Sequence, residues 1–306
     1  TTTALATQKT AMTKDWSPPI RLTQLKRLAQ GDLRSIHSGE ERSLFMNNVQ
    51  STTIAQSYDD YYRIGLYTSR YPKANIRVLN TLFQHAQFLA QDSLALDYGC
   101  GNGRYSYPIL KQTNLHLYGF DISEIAVQQA KQATQPFSER VDWFSDQNQL
   151  HQHVEDRDEK FQLGMLLFGV MSHIREQKDR ANLLKWFYKH MKPDGSLILS
   201  VPNRRRRFLT LQWRQRNQQN LPGDIQYQRY QSGRKIPLFY HLYTVNEIRA
   251  ELIEAGFDIE KVTAESIFPE RFVIQNSAMA FLDNLLCNLL PASLGYGLLV
   301  VARRRT

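Results

Sequence analysis

Cysteines and long apolar runs are scarce in this sequence, and each scarcity excludes a class of protein. The two cysteines, Cys100 and Cys287, are too few for a disulfide framework or for a cysteine-based metal cluster. No run of roughly 18 apolar residues suggests a membrane span. The N-terminus also lacks the apolar core of a signal peptide. We therefore expect a soluble, cytoplasmic protein that holds no metal.

Basic residues outnumber acidic ones, and they are clustered. Lysine and arginine total 38 against 29 acidic residues, which gives a net charge of +9. Arg204–Arg207 form an unbroken run, and the chain ends in ARRRT. Such clusters favour an anionic partner such as RNA, whereas a solvated surface that confers solubility is the alternative interpretation. Composition leaves both interpretations open.

From Leu94 onward, short apolar runs alternate with amphipathic segments, which is typical of an α/β fold with a parallel sheet covered by helices on both faces. Two segments, at about 203–238 and 266–294, do not fit this alternation, and we interpret them as insertions that shape a substrate site. The alternation predicts strands at Leu94–Tyr98, Leu115–Asp121, Arg140–Asp146, Phe161–Val170, Ser196–Asn203, Phe257–Ser266 and Tyr296–Arg304.

Glycines, which number only 15 in the chain, cluster directly after the first predicted strand, at Gly99, Gly101 and Gly103. Glycines at the end of a strand permit a tight turn and let a ligand approach the backbone. The dinucleotide spacing G-x-G-x-x-G fails here, because Arg104 or Ser106 stands where the third glycine belongs. The pattern present is instead D-x-G-x-G-x-G, starting at Asp97.

The stretch LDYGCGNGRY resembles the first motif of class I S-adenosylmethionine-dependent methyltransferases of the type 11/12 kind, and the next motifs follow in order. Asp121 in GFDIS and Asp146 in WFSDQ end the second and third predicted strands. LLFGVMSHI is similar to the family's fourth-strand motif, and MKPDGSLILSVPN to its fifth-strand turn, with Asp194 in place of a glycine. The resemblance covers Leu94 to about Asn203 well and Tyr240–Arg303 more loosely.

This resemblance implies a seven-stranded, doubly wound Rossmann-like sheet with a helical N-terminal extension and the two insertions. We accordingly expect a flexible tail at 1–20, a helical extension or lid at 21–90 and a methyltransferase domain at 91–306.

It also implies S-adenosyl-L-methionine as cofactor and S-adenosyl-L-homocysteine as product. In the family, the acid at Asp121 takes the ribose hydroxyls and the acid at Asp146 takes the adenine amino group. The predicted cofactor-binding residues are Asp97, Gly99, Cys100, Gly101, Gly103, Asp121, Ile122, Asp146, Gln147, Phe168 and Gly169.

Direct in-line methyl transfer needs positioning and water exclusion, and it needs a base only when the nucleophile carries a proton of high pKa. His173 follows the fourth strand and is a candidate base, while Tyr240 and His241 precede the penultimate helix on the substrate side. The tyrosine-rich segment Tyr58–Tyr71 is interpreted as a lid over the cofactor or, equally, as helix-face core.

Three hypotheses for the function remain open. A small-molecule acceptor, amphipathic molecules included, is favoured by the insertions and the apolar segment Ala278–Leu294, which is also a candidate homodimer face. RNA of the tRNA wobble-uridine type is the second, through Arg204–Arg207. A non-catalytic cofactor-binding subunit is the third. The pattern [DN]-P-P-[YFW] of amine-methylating enzymes is absent after the fourth strand, where FGVM stands.

Overall fold

The computed structural model describes residues 55–217, 221–231 and 234–305, apart from the side chains of 229–231 and 234–237. The predicted tail at 1–20 and the predicted extension up to residue 54 lie outside the described residues. The strands are β1 Leu94–Tyr98, β2 His116–Phe120, β3 Val141–Phe144, β4 Phe161–Leu166, β5 Met191–Pro202, β6 Asp224–Gln231, β7 Arg234–His241, β8 Phe257–Ser266 and β9 Gly297–Arg304.

Helices connect these strands. Residues 55–63 are also helical. The α-helices are α1 Leu66–Arg70, α2 Ile76–Ala86, α3 Ser106–Gln112, α4 Glu124–Ala133, α5 Gln147–Asp156, α6 Val170–His173, α7 Gln177–His190, α8 Leu209–Gln215, α9 Val245–Glu254, α10 Glu270–Gln275 and α11 Ser277–Leu289. Short 3₁₀ turns lie at Gln135–Arg140 and Ala292–Leu294. No helix in the described part of the chain is long and apolar enough to cross a membrane.

The predicted α/β sheet is confirmed, with seven strands in the order β3-β2-β1-β4-β5-β9-β8. Alternate residues of the central strands bury against opposite faces, so that Leu197 of β5 joins one core and Ile198 joins the other. Helices α5, α7 and α9 pack into the first core, and helices α2 and α3 pack into the second. The sheet is therefore doubly wound.

One feature of the sheet differs from the expected parallel arrangement. β1 to β5 pair in parallel, but β9 runs antiparallel between β5 and β8. Ser266 at the end of β8 pairs with Gly297 at the start of β9, so the connection through α10 and α11 returns at the same edge. A strand that starts where its neighbour ends has to run back along it.

Two strand boundaries also differ from the sequence prediction. β4 ends at Leu166 rather than Val170, because Phe168 (φ 60°) and Gly169 (φ 82°) adopt left-handed backbone conformations that end the extended strand. β5 begins at Met191 rather than Ser196.

The segment predicted as the first insertion holds α8 and an antiparallel hairpin of β6 and β7, which pair only with each other. The segment predicted as the second insertion holds α10 and α11. Helix α11 buries Asp283 and Cys287 but leaves Phe281, Leu285 and Leu289 exposed by 75%, 46% and 71%. The homodimer face at Ala278–Leu294 stays a prediction.

A buried ion pair ties the loop after β4 to the helix that follows the hairpin. The Arg180 side chain is 1% exposed; its Nε lies 3.2 Å from Glu251 Oε1, and its Nη1 donates to the carbonyls of Ile174 and Arg175. The Tyr243 hydroxyl donates to the other Glu251 oxygen at 3.0 Å. This network holds α6 and α9 together next to the sheet.

Replacing Arg180 with Met should lower the free energy of unfolding by about 3–5 kcal/mol, because Glu251 would remain buried without its counter-ion. The exposed Arg249 on α9 provides the control, since Arg249→Met should change stability by less than about 0.5 kcal/mol. Urea denaturation of the two variants measures the difference. Equal stabilities would contradict a structural role for the buried pair.

Candidate cofactor and acceptor site

The glycine loop after β1 adopts backbone conformations that other residues avoid. Gly99, Gly101 and Gly103 have φ values of 79°, 56° and 78°, all in the left-handed region. A β-carbon on Gly99 would collide with the Val170 side chain, and one on Gly101 would collide with the Tyr62 hydroxyl. The glycines are therefore required both by the turn and by the groups packed on it.

The Asp121 carboxylate fixes this loop. Its Oδ2 accepts a hydrogen bond from the Gly101 amide at 2.8 Å, and its Oδ1 accepts from the Ser123 amide at 2.9 Å. Burial raises the pKa of Asp121 to about 6, although both backbone hydrogen bonds oppose that increase. Each carboxylate oxygen keeps a free lone pair, so the group retains capacity for hydroxyl donors.

The tyrosine-rich segment lies over the glycine loop. Tyr61, Tyr62, Tyr67 and Tyr71 are buried, and they pack against Phe168. The ring centroids of Tyr71 and Phe168 are 4.6 Å apart. The tyrosines thus form a separate hydrophobic cluster that also covers the glycine loop. The interpretation of this segment as a lid over the cofactor stays a prediction.

A second contact joins the same segment to helix α4. Asp59 Oδ1 accepts from the Ser123 hydroxyl at 2.6 Å and from the Ile125 amide at 3.3 Å. Ser123 is the N-cap of α4, and its Oγ accepts from the Ala126 amide. The tyrosine-rich segment is therefore attached to Ser123, two residues after Asp121.

Two other predicted residues of the loop are enclosed. Asp97 Oδ2 accepts from the Ser106 hydroxyl at 2.6 Å, and burial raises the pKa of Asp97 to about 7. The Cys100 thiol is buried and contacts the Gly101 carbonyl, and burial raises its pKa well above the usual value. A protonated, enclosed thiol is a poor nucleophile, and both residues support the loop.

Three other predicted cofactor-binding residues, Asp146, Gln147 and Ile122, follow the ends of β2 and β3. Asp146 is exposed and caps α5, because its Oδ1 accepts from the Asn148 amide at 2.8 Å. Gln147 is exposed, and Ile122 beside Asp121 is half-buried. The structure places all three at the carboxyl ends of β2 and β3.

The loop after β4 faces the glycine loop. Val170 packs over Gly99, and Ser172 is fully buried with its Oγ without a hydrogen-bond partner in the described part of the chain. Asn102 Oδ1 is likewise buried and unpartnered among the described residues. Unpaired buried polar atoms around one loop indicate a place built for a polar ligand.

The side chains of His173 and Tyr240 lie against each other. Their ring centroids are 4.4 Å apart, and the Tyr58 hydroxyl lies 2.7 Å from Nδ1 of His173. Burial raises the pKa of Tyr58 well above its usual value, so Tyr58 keeps its proton and can donate it to the imidazole. His173 thereby joins the N-terminal segment to the hairpin.

His241 lies elsewhere in the same hairpin. Its Nδ1 is 2.7 Å from Asp224 Oδ1, both side chains are buried, and its ring packs edge-on against Tyr243. This pairing closes the base of the β6–β7 hairpin. The structure therefore separates the partners of His241 from those of Tyr240, although the two residues are adjacent in sequence.

A cavity of about 460 Å³ opens beside the loop after β4. Phe168 and Gly169 form its side towards the glycine loop, and neither Asp121 nor the three loop glycines line it. Its remaining walls come from α1, the end of β5, the hairpin, the end of β8 and α10. They are formed by Leu66, Arg70, Tyr71, Val201, Pro202, Arg207, Phe208, Tyr227, Gln228, Glu265, Ser266, Pro269, Glu270, Arg271, Phe272 and Tyr296.

Charged residues that the sequence analysis did not identify lie in or under this cavity. Glu265 and Glu270 are 7% and 8% exposed. Arg104 Nη1 lies 3.2 Å from Glu270 Oε1, and the guanidinium carbon of Arg104 is 4.4 Å from the Phe168 ring centroid. Glu265 and Glu270 match no motif and lie far in sequence from Arg104, so only the fold brings the three residues together.

The arginine run is not a uniform solvated surface. Arg204 pairs with Glu247 at 2.6 Å, and Arg206 donates to the Leu294 carbonyl at 2.7 Å. Arg207 turns inward and lines the cavity, whereas Arg205 and Arg206 are exposed. Groups of three or more potential metal-ligating side chains are absent from the described part of the chain.

The sheet order and the glycine loop define a class I methyltransferase fold. The chain belongs to the methyltransferase domain family, whose model matches residues 67–262. It is an S-adenosylmethionine-dependent methyltransferase, and S-adenosylmethionine is its cofactor. A search of curated proteins found no match to the sequence.

Solved structures show the same fold at low sequence identity. An S-adenosylmethionine-dependent methyltransferase from Clostridium acetobutylicum has a TM-score of 0.57 and 11% identity over 81% of this chain and 99% of its own. The CcbJ methyltransferase from Streptomyces caelestis has a TM-score of 0.54 and 13% identity over 79% and 96%. The 1,6-didemethyltoxoflavin-N1-methyltransferase from Burkholderia thailandensis, with bound 1,6-didemethyltoxoflavin and S-adenosylhomocysteine, has a TM-score of 0.53 and 17% identity over 89% and 92%.

The contact between Tyr62 and Gly101 can be tested by stability. Gly65→Ala is a matched control, because Gly65 also has positive φ (68°) but no atom lies within 4 Å of its would-be β-carbon. Gly65→Ala should cost about 1 kcal/mol of backbone strain, and Gly101→Ala should cost about 1–3 kcal/mol more for overpacking. Tyr62→Ala should remove that extra cost in a double-mutant cycle. A Gly101→Ala penalty that is the same with and without Tyr62 would contradict the contact.

Proposed function

We propose that this enzyme transfers the methyl group of S-adenosylmethionine to a small-molecule acceptor bound in the cavity beside β4. The observation that carries the proposal is the position of Phe168 and Gly169, which belong to the loop packed on the glycine loop and also line the cavity. An enclosed volume of about 460 Å³ suits an organic molecule of modest size. The similar fold from Burkholderia thailandensis holds a small acceptor together with S-adenosylhomocysteine.

The residues present fit the cofactor. The loop glycines keep the backbone free of side chains, Asp121 offers acceptor lone pairs to a ribose, and Asp146 stands at the next strand end. Asn102 Oδ1 after β1 and Ser172 Oγ after β4 are buried without a partner among the described residues, and they add polar groups beside the glycine loop. Tyr62 contacts Gly101 directly, so we propose that cofactor entry displaces this part of the N-terminal segment.

The sulfonium of the cofactor supplies the electrophilic methyl group when bound. The chain contributes position and exclusion of water: the aromatic rings of Phe168, Tyr71 and Tyr227 enclose the cavity where the acceptor would lie. His173 is the candidate base from the sequence; it does not line the cavity, and the Tyr58 hydroxyl orients its ring. The Tyr240 ring packs against the His173 ring, and we assign Tyr240 a role in positioning His173.

RNA is the second candidate acceptor, and the structure favours it less. Three of the four arginines in Arg204–Arg207 are engaged within the protein or its cavity. Of this run, only Arg205 and Arg206 are exposed, so the run offers few exposed positive charges to a phosphate backbone.

Asp121 makes cofactor binding dependent on pH. A carboxyl with a pKa of about 6 loses an acceptor lone pair to a proton below that pH, so affinity for S-adenosylmethionine should fall as the pH drops through about 6. Asp121→Asn should bind at least about tenfold more weakly near pH 8 and lose most of the dependence. Calorimetry of the variant and of the exposed-surface control Asp156→Asn measures this. Wild-type affinity in Asp121→Asn would contradict the ribose role.

The acceptor class can be tested with labelled S-adenosylmethionine, the purified protein and a cell extract divided into RNA, protein and small-molecule fractions. Label in the small-molecule fraction is the expected result. Narrowing the cavity at its centre by Ser266→Phe should abolish that label while cofactor affinity stays within about threefold of wild type, since Ser266 lines the cavity and not the glycine loop. Label confined to RNA and removed by nuclease would contradict the proposal.

A further inference from the structure

The charges around the acceptor cavity do not balance within the protein. Glu270 is already paired with Arg104. Arg207 lines the cavity, yet its side chain forms no ion pair or hydrogen bond with the residues that the structure describes, and its Nε is buried without a partner. Arg207 therefore faces the cavity without an ion-pair partner among the described residues.

Aromatic rings hold this guanidinium in place. Its central carbon lies 4.8 Å from the ring centroid of Tyr296, 5.5 Å from that of Phe208 and 5.7 Å from that of Tyr240. Cation–π contacts orient the plane of an arginine but do not neutralise its charge. A positioned, desolvated arginine fork matches the geometry of a carboxylate-like anion.

The nearby carboxyl group of Glu265 does not supply the missing negative charge in full. Burial first, and the neighbouring Glu270 second, raise the pKa of Glu265 well above its usual value. The Ser200 side chain is hydrogen-bonded to this carboxyl group, and Glu265 Oε1 remains buried without a partner in the described part of the chain. Arg207 opposes this increase electrostatically, but no Arg207 nitrogen forms an ion pair with Glu265, so Glu265 compensates the Arg207 charge only in part. The same carboxyl group offers hydrogen-bonding capacity to a ligand.

Glu265 is also connected to the loop that faces the cofactor. Ser200 Oγ accepts from the Phe168 amide at 2.7 Å, and the Gly169 amide donates to the Ser200 carbonyl at 2.9 Å. Ser266, next to Glu265, lines the cavity with a buried, unpartnered hydroxyl among the described residues. Polar groups thus converge on one side of an otherwise aromatic cavity.

We propose that the methyl acceptor is an organic anion of the carboxylate or phenolate class, whose charged group pairs with Arg207 while a second polar group faces Glu265 and Ser266. This inference rests on the proposed function, because it names the acceptor class of that same cavity. A buried cation without a partner is costly, and an anionic ligand removes that cost when it binds.

The first test divides a small-molecule extract by anion exchange into acidic and non-acidic fractions before labelled S-adenosylmethionine is added. The acidic fraction should be labelled, and Arg207→Gln should lower that labelling by at least about thirtyfold. Arg206→Gln is the matched control from the same run, since Arg206 donates to the Leu294 carbonyl and does not line the cavity. It should label at the wild-type level.

The second test measures binding of 2-naphthoate and 2-naphthylmethanol to the full chain by calorimetry. Wild type should prefer the carboxylate by at least about tenfold, and Arg207→Gln should abolish the preference. Arg207→Lys keeps the charge and should retain a reduced preference, which separates loss of the anion site from loss of folding.

The outcomes distinguish the two proposals. Label from the non-acidic fraction that is unaffected by Arg207→Gln overturns the anionic acceptor and leaves small-molecule methylation intact. Label in neither fraction overturns the proposed function, and equal binding of the two naphthyl probes overturns the anion site by itself.

Discussion

The two hydrogen bonds accepted by the Asp121 carboxylate are the constraint on which the site depends. One joins the end of β2 to the Gly101 amide, and the other joins it to Ser123 at the start of α4. Ser123 in turn donates to Asp59 of the N-terminal segment. A single buried carboxylate therefore sets the glycine loop, the start of the next helix and, through Ser123, the segment that covers them. The glycine loop is therefore held in one conformation before a ligand binds, which lowers the entropic cost of ordering the loop on binding.

The loop after β4 connects this arrangement to the acceptor cavity. Phe168 contacts the tyrosines and Arg104 on one side and lines the cavity on the other. Because Arg104 follows the glycine loop directly and pairs with Glu270 on α10, the cofactor and acceptor sides share buried charges. Charged groups are tolerated in this aromatic interior because Arg104 and Glu270 pair with each other. Arg207 Nε and Glu265 Oε1, in contrast, have no hydrogen-bond partner among the described residues.

Much of the fold could be predicted from the sequence, because buried parallel strands are continuous apolar runs and glycines mark their ends. β1 and β8 have the predicted boundaries. The β6–β7 hairpin was missed, since its residues are rich in Gln and Arg and its strands pair only with each other. Local motifs also located the glycine loop and Asp121. They did not locate Arg207 or Glu265, because a run of arginines has no local signal for which member turns inward.

The most direct test of the account is a crystal structure with bound S-adenosylhomocysteine. The account predicts the ribose on the Asp121 carboxylate, the Tyr62 hydroxyl displaced from Gly101, and the sulfur facing the cavity across Phe168 and Gly169. A bound nucleoside away from Asp121, with Tyr62 still seated on Gly101, would contradict it.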